Sequence, residues 1–283
     1  MKLIQLTRLA GAGLVVGAAV AAGVGTGAAP ALADVPPVVI VEASSAWDST
    51  PTKSATAECP SGTHVLGGGA GNANGGGVVH LTRLQALGNT DAFTASSAEH
   101  GVYAASWRVD VWAICGSLSG LEYISFHTST NSDSFKLAVA ECTGDRQLIS
   151  TGGRVIGGDG QVILDDFMPS STFERVTVTA YEDDNGYADD WSLFAYGVCA
   201  DPIAGLELRT ESATPIDSSN DIVSAECSAG KQLLGLGGSI NGAIGHSIYS
   251  GLVPTDSTAF VFAQELQPGY GNNWFTRAYA ICA

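Results

Sequence analysis

The sequence predicts an all-β protein built from three pseudo-symmetric antiparallel β-sheet repeats, and three observations lead to that prediction. Glycine is abundant, with 36 residues in 283, while only 14% of residues are charged. This composition suits short strands and tight turns better than solvent-exposed helices. The six cysteines recur as three similarly spaced pairs. A tryptophan lies eight residues before the second cysteine of every pair, and this regularity indicates one unit present three times.

The first segment, residues 1–33, is predicted to be an export signal. Lys2 and Arg8 supply a positive start, and residues 9–24 form an apolar run. Residues 31–33 read Ala-Leu-Ala, the small-x-small pattern that signal peptidase requires. Glycines interrupt the apolar run, which argues against a membrane-spanning helix. We therefore expect a secreted, extracellular protein without membrane insertion.

The charge balance argues against nucleic acids and anionic membranes as partners. Without Lys2 and Arg8 the formal net charge moves from −16 to −18, and ten basic residues remain. Proteins that bind nucleic acids or anionic membranes need a basic face, so neither is an expected partner. The acidity is typical of a protein that must stay soluble outside the cell.

The boundaries of the repeats follow from the residues around their cysteines. Ala-Glu-Cys occurs at residues 57–59, 140–142 and 225–227, and a Gly-Gly pair follows shortly afterwards in each case. Each copy opens with a short apolar strand and closes with a strand that begins at a Trp and ends at a Cys. The predicted organisation is a signal peptide, residues 1–33, followed by three β repeats at residues 34–116, 117–200 and 201–283.

The cysteine spacing favours one disulfide inside each repeat. Six cysteines allow 15 pairings, but pairing within copies gives nearly constant separations of 56, 57 and 55 residues. Export makes oxidation the expected state. Metal ligation is the alternative, but it would require closely spaced Cys or His pairs, so we expect neither a metal nor a cofactor. The predicted pairs are Cys59 with Cys115, Cys142 with Cys199, and Cys227 with Cys282.

Three short motifs carry a family resemblance. The first copy contains Cys59-Pro60-Ser61-Gly62 followed by Leu66-Gly67-Gly68-Gly69, and the third ends in Tyr279-Ala280-Ile281-Cys282-Ala283. In this pattern the chain resembles a group of uncharacterised secreted proteins of actinobacteria. The resemblance covers all three copies and implies export but no particular activity. The second copy departs most, because Thr143 replaces the proline and Tyr196-Gly197-Val198-Cys199 replaces the ending.

The closing strand predicts how the repeats pack. In the first copy, Trp107 and Cys115 share one strand face, while Trp112 and Ile114 lie on the other. Both faces are largely apolar, so we expect one to pack inside its own unit and the other against neighbouring units. Three copies favour closure around a pseudo-threefold axis, where Gly-Gly pairs would allow close backbone approach. A β-prism-like fold is the first expectation, by analogy of shape; three small β-sandwiches in a row are the alternative.

The sequence contains no recognisable catalytic constellation. Residues 245–249 nearly match the hydrolase elbow Gly-x-Ser-x-Gly, but the last glycine is missing and no histidine follows Ser247. The acidic run at residues 182–190 surrounds a glycine and offers oxygen ligands of the kind calcium prefers. It lacks the EF-hand spacing, and a solvated acidic turn is the simpler interpretation. We therefore expect a protein that is not an enzyme, and calcium binding by this run stays an open alternative.

One loop recurs with side chains suited to a ligand, and it runs from a Glu to the closing Trp of each repeat. Sugars are recognised by an aromatic face together with a few oriented polar groups, and three weak sites would add avidity on a polymer. The alternative is a hairpin whose Tyr caps the hydrophobic edge and whose Trp is part of the core. The predicted ligand-binding residues are Glu99, Tyr103, Glu182, Tyr187, Asp190, Glu265, Tyr270 and Asn273.

These observations predict a secreted, non-catalytic binding protein with lectin-like recognition of an extracellular or cell-wall glycan. Its partner would be a polysaccharide or a cell-surface glycan. The alternative is a secreted protein-interaction or surface-structural protein, such as a protease inhibitor, whose partner is an extracellular protein. The sequence leaves open whether the three loops share one face of the molecule.

Overall fold

The computed structural model describes residues 35–214, 216–218 and 220–283. The predicted export signal, residues 1–33, lies outside these residues. Every regular element in the described part is a β-strand. Over the same residues there is no helix with the length and apolar character needed to cross a membrane.

The strands fall into three successive groups of six. The first group is β1 (Val39–Ser44), β2 (Thr52–Glu58), β3 (His64–Ala73), β4 (Val79–Leu87), β5 (Ala92–Glu99) and β6 (Arg108–Gly116). The second is β7 (Glu122–His127), β8 (Phe135–Glu141), β9 (Gln147–Ile156), β10 (Val162–Pro169), β11 (Arg175–Glu182) and β12 (Ser192–Ala200). The third is β13 (Glu207–Ser212), β14 (Asp221–Glu226), β15 (Leu233–Asn241), β16 (Ser247–Pro254), β17 (Thr258–Glu265) and β18 (Phe275–Cys282).

The eighteen strands form three six-stranded antiparallel sheets with the same internal arrangement. Sheet 1 has the order β1-β6-β3-β16-β17-β14, sheet 2 has β2-β5-β4-β9-β12-β7, and sheet 3 has β13-β18-β15-β10-β11-β8. The β-prism-like expectation is confirmed. Each sheet takes three strands from one group and three from another, in cyclic order. Three independent sandwiches in a row would keep each group's strands together, so that alternative is wrong.

The three disulfides link neighbouring sheets. Each joins a cysteine just after an edge strand to a cysteine in the closing strand of the same group, and these two strands belong to different sheets. One disulfide bond therefore links every pair of sheets. The bonds are Cys59–Cys115 between sheets 2 and 1, Cys142–Cys199 between sheets 3 and 2, and Cys227–Cys282 between sheets 1 and 3.

The core lies between the inner faces of the three sheets. Trp107, Trp191 and Trp274 are at most 1% exposed, and one continuous cluster of buried apolar residues contains side chains from all three sheets. The other face of the closing strands was expected to pack against neighbouring units. That expectation holds only at the strand ends, where Ile114, Val198 and Ile281 are buried. Farther along the strands, Trp112 and Tyr196 are half-buried on outer sheet faces.

Glycines allow the three central strands to meet at one end of the molecule. Gly67 in β3, Ser150 in β9 and Gly235 in β15 occupy equivalent positions, each opposite the last apolar residue of the closing strand. A β-carbon added at Gly235 would lie 2.2 Å from the backbone oxygen of Ile149. The close approach expected of the Gly-Gly pairs is present, and of the three positions only Ser150 carries a side chain.

Candidate functional site

The three recurring loops lie together at one end of the molecule. Each loop contacts the turn that joins the third and fourth strands of another group. Gly160 lies against the backbone of Glu99, Gly245 against that of Glu182, and Gly77 against that of Glu265. These three contacts follow one another cyclically. The loops therefore form a ring around the pseudo-threefold axis and share one end of the protein, which we call the loop end.

The glutamate that begins each loop is bound internally. Glu99 Oε1 accepts a hydrogen bond from Trp107 Nε1 at 2.8 Å, and its Oε2 accepts one from the backbone N–H of Tyr103 at 3.1 Å. Glu182 and Glu265 repeat both bonds with their own Trp and Tyr residues. Both carboxylate oxygens are used to fold the loop over the buried tryptophan. The geometry gives the glutamates a structural task inside the loop.

The three loop tyrosines are half-buried, and their hydroxyl groups point at neighbouring turns. Tyr103 donates to the carbonyl of Asn74 at 2.8 Å, and Tyr270 donates to the carbonyl of Gly242 at 3.1 Å. Tyr187 lies 3.4 Å from a carboxylate oxygen of Asp159. The tyrosines thus cap the edge of the core, as the alternative interpretation of the loop supposed, while part of each side chain stays accessible.

The remaining two predicted ligand-binding residues are exposed and lie apart from the others. Asp190 and Asn273 each precede a closing tryptophan in their own loop. The backbone carbonyl of Asp190 lies close to Gly157, and that of Asn273 lies close to Gly242. Their side chains are free to meet solvent. The eight predicted residues therefore form three separate sets, one per loop, and do not converge on a single pocket.

Polar side chains take the place of apolar ones on one side of the axis at the loop end. His80, Ile163 and Ile248 hold equivalent positions near the start of the fourth strands and are at most 1% exposed. Directly after the loop glutamates come His100, Asp183 and Leu266. His100 Nε2 lies 2.6 Å from Asp183 Oδ2, whereas Leu266 packs with the two isoleucines. The first and second loops thus meet through a polar contact, whereas the third loop contributes an apolar side chain at the equivalent position.

A groove of about 290 Å³ opens between the second and third loops, and His100 of the first loop also lines it. One wall is the imidazole of His246 stacked on the ring of Tyr270, with centroids 4.2 Å apart and planes 20° apart. Asp184 contacts this wall, with Oδ2 at 3.1 Å from His246 Nδ1. Asn185 and Gln267 add exposed amides. Tyr270 is thus the predicted ligand-binding residue that lines this groove.

The groove residues other than Tyr270 escaped the sequence prediction. His246 belongs to a turn of the third repeat, while Asp184 and Asn185 lie in the loop of the second. The predicted site residues were chosen because the three loops share them. The groove, however, is formed by residues in which the loops differ. The available signal was the departure of the second loop, with its acidic run, from the other two.

The acidic run of the second loop does not converge on one point. Glu182 binds Trp191 and Tyr187, Asp183 binds His100, and Asp184 binds His246. Across the residues that the structure describes, no group of three or more His, Cys, Asp or Glu side chains is placed to hold a metal ion. The nearby Ser247, the serine of the elbow-like motif, is fully buried.

The outer faces of the sheets provide a second type of surface. On sheet 1, a cavity of about 260 Å³ has Gly71 and Gly251 at its floor and Trp112 and Phe262 among its lining residues. Trp112 was expected to pack between units, but the cyclic arrangement of half-sheets leaves it half-buried at the surface. Its position on the second face of the closing strand was visible in the sequence, but its exposure was not.

Comparison with known proteins adds no family and no relative to this description. The sequence matches no model of a protein family, and it matches no curated protein.

Proposed function

We propose that this protein is an extracellular binding protein that recognises a glycan, and that the groove between the second and third loops is its binding site. The observation that carries the proposal is the His246–Tyr270 stack, paired through His246 with Asp184, in a groove that Asn185 also lines. A sugar ring presents both C–H patches and hydroxyl groups, so it is held by an aromatic face flanked by hydrogen-bonding groups. The groove combines both kinds of group.

The groups around the groove suit hydroxyl recognition. Carboxylate oxygens of Asp184 accept hydrogen bonds from hydroxyl groups, while the amides of Asn185 and Gln267 both donate and accept. The volume of about 290 Å³ is at the small end of the range for ligand sites. This size fits one or two sugar residues of a longer chain, with the rest of the polymer outside the groove.

The rigid loop framework supports recognition more than catalysis. Because each loop glutamate already accepts two hydrogen bonds from its own loop, the loops are fixed before any ligand arrives. A preformed site loses less conformational entropy on binding. We therefore assign the loop glutamates to positioning and Tyr270 to ligand contact. The three disulfides are consistent with an extracellular protein, and the resemblance to secreted actinobacterial proteins stays part of this proposal.

The test is retention of the purified protein on chitin, cellulose and peptidoglycan, with soluble sugar as competitor. We expect retention on at least one polymer and a loss of about tenfold in affinity for Tyr270→Ala, since a stacking contact contributes about 1 kcal/mol or more. Tyr103→Ala is the matched control: it removes the equivalent tyrosine of the first loop, which does not line the groove, and its affinity should equal that of the wild type.

Three outcomes would overturn the proposal. Absence of retention on every polymer would remove the glycan and favour an extracellular protein as partner. Equal losses in Tyr270→Ala and Tyr103→Ala would replace the single groove with three independent loop sites. A loss confined to Trp112→Ala would move the site to the outer face of sheet 1.

A further inference from the structure

Two arginines face each other across the middle of sheet 2. Arg83 in β4 and Arg154 in β9 are direct cross-strand partners at the junction between its two half-sheets. Both side chains are half-buried on the outer face. The equivalent junction pairs are Gly71 with Gly251 in sheet 1 and Asp166 with Ser239 in sheet 3. The arginine pair is therefore particular to sheet 2 and does not follow from the threefold repetition of the sequence.

Neither arginine has a carboxylate partner among the described residues. Five other Lys and Arg residues in that part of the chain form ion pairs with Asp or Glu. Arg83 instead donates from Nε and Nη2 to Oε1 of Gln85, at 2.9 and 2.6 Å. Arg154 interacts with Tyr196. In a chain of net charge −16, acidic side chains are plentiful, so an unneutralised pair of arginines is unexpected.

The pair is electrostatically unfavourable in the free protein. Like charges directly opposite each other on a sheet are destabilising, and the guanidinium groups are partly removed from water. Burial, followed by the positive charge of Arg154, lowers the pKa of Arg83. An anion placed between or beside the two groups would remove this repulsion, because each arginine presents a planar fork of donors that matches an oxyanion.

A small pocket with both polar and apolar lining residues lies next to the arginines, neither of which lines it. Its volume is about 100 Å³, and its lining includes Gln85, Ser125, Thr151 and Tyr196. Gln85 and Tyr196 are the two residues that contact the arginines. A single water takes up about 30 Å³ of liquid volume, so the pocket holds a group of a few heavy atoms. A carboxylate or a sulfate fits within this volume.

Aromatic rings extend from the pocket toward the edge of the sheet. Tyr196 stacks on Phe194 with centroids 5.7 Å apart, and Phe194 stacks on His127 at 5.0 Å. Phe194 is also the direct strand partner of Arg154. The face therefore places cationic donors and a row of rings side by side, which suits an anionic group attached to a larger molecule.

We propose that the outer face of sheet 2 is an oxyanion-binding site, in which Arg83 and Arg154 together hold a carboxylate, sulfate or phosphate group of an extracellular ligand. Gln85 orients Arg83, and Tyr196 closes the pocket beside Arg154. The ligand is either a free small anion or an anionic polymer such as a uronic-acid polysaccharide. This site does not involve the groove at the loop end, so either proposal can fail while the other stands.

The test is calorimetric titration of the purified protein at constant ionic strength. The probes are sodium sulfate and tetragalacturonate, with chloride and the methyl ester of tetragalacturonate as uncharged or weakly binding references. We expect saturable binding of at least one oxyanion, and a loss of at least tenfold for both Arg83→Gln and Arg154→Gln. Arg175→Gln is the matched control, because this exposed arginine lies on another sheet and is paired with Glu141; it should bind like the wild type.

Thermal unfolding in anion-free buffer separates binding from folding defects. Because each variant removes a like-charge contact, both should unfold at or above the wild-type temperature while losing the stabilisation that the oxyanion gives. Tighter binding of tetragalacturonate than of sulfate would identify a polymer, and the reverse a small anion. Absence of saturable binding by either probe, or equal binding by the double variant Arg83→Gln with Arg154→Gln, would overturn the proposal.

Discussion

At the scale of single residues, the repeats share the side chains that stabilise the fold and differ in most of those assigned to ligand binding. The loop glutamates are alike in all three repeats because each satisfies a buried tryptophan N–H and a backbone N–H. A buried donor without an acceptor costs about 1–3 kcal/mol, so this repeated residue is explained by folding. The residues that differ between repeats, such as His246 and Arg83, are not required by the shared fold and are the ones we assign to ligand binding.

His80 predicts a pH dependence of stability. It is 1% exposed, its Nε2 lies 3.0 Å from the carbonyl oxygen of Gly160, and its Nδ1 has no partner in the described part of the chain. Since a carbonyl only accepts, Nε2 carries the proton and the ring is neutral. Burial is the main cause that lowers the pKa of His80 from 6.5 to about 4, and nearby His100 and Asp183 make smaller, opposing contributions.

Because folding lowers the pKa of His80, acidic pH destabilises the native state. Between about pH 6.5 and pH 4 the unfolded chain binds a proton that the native histidine does not, so stability is full above pH 6.5 and falls as the pH drops toward 4. The loss is on the order of 1 kcal/mol per pH unit. Urea unfolding at pH 7, 6 and 5 should show a shallower pH profile for His80→Gln, whose amide still donates to Gly160.

His64→Gln is the control for this measurement, because His64 is exposed and paired only with Asp91. The difference between each variant and the wild type cancels the contribution of other titrating groups, including Asp165, whose pKa burial raises. Identical pH profiles for His80→Gln and the wild type would show that the histidine is not held neutral in the native state.

At the scale of elements, the central strands β3, β9 and β15 determine how tightly the three sheets close. Gly67, Ser150 and Gly235 meet near the axis, and of these positions only Ser150 bears a side chain. A β-carbon at Gly235 would lie 2.2 Å from one backbone oxygen and 2.6 Å from the α-carbon of Ser150. Both are backbone atoms of a central strand, so they cannot move aside as a flexible side chain would.

Gly235→Ala should therefore destabilise the protein although alanine is a small residue. Overpacking of this kind costs about 1–3 kcal/mol, which chemical denaturation monitored by circular dichroism resolves. Gly271→Ala is the matched control, because no atom lies within 4 Å of its added β-carbon. Equal stability of the two variants would mean that the central strands separate easily, contrary to the close packing described above.

At the scale of the whole molecule, the half-sheets are exchanged between repeats. The second repeat supplies β7, β9 and β12 to sheet 2 and β8, β10 and β11 to sheet 3. One edge of each half-sheet is paired with another repeat: β9 pairs with β4 of the first repeat, and β10 pairs with β15 of the third. A repeat by itself would expose two such edges and the inner face of both half-sheets, which favours aggregation or self-association.

An isolated second repeat, residues 117–200 with its disulfide intact, should not form a folded monomer. We expect either poorly dispersed amide resonances in a heteronuclear NMR spectrum or assembly into trimers that restore the exchanged sheets. Light scattering coupled to size exclusion measures the mass, and the full chain serves as the folded reference. A monodisperse, well-dispersed monomer would contradict the dependence of each repeat on its neighbours.

The sequence by itself determined the properties that are local or periodic. Strand positions follow from alternation and turn residues, and the cysteine partners follow from a constant spacing. The buried Trp just before each closing strand and the close approach at Gly67 and Gly235 follow from the same periodicity. These features depend on neighbours along the chain or on the comparison of repeats, which a single sequence contains.

Only the tertiary structure decided which half-sheets pair and which faces stay outside. Arg83 meets Arg154, and His246 meets Asp184, because a half-sheet or turn of one repeat packs against part of another. No periodicity in the sequence predicts such pairs, since they join residues that the repeats do not share. The physical reason is that strand pairing fixes register between distant segments, so side chains far apart in sequence become direct neighbours.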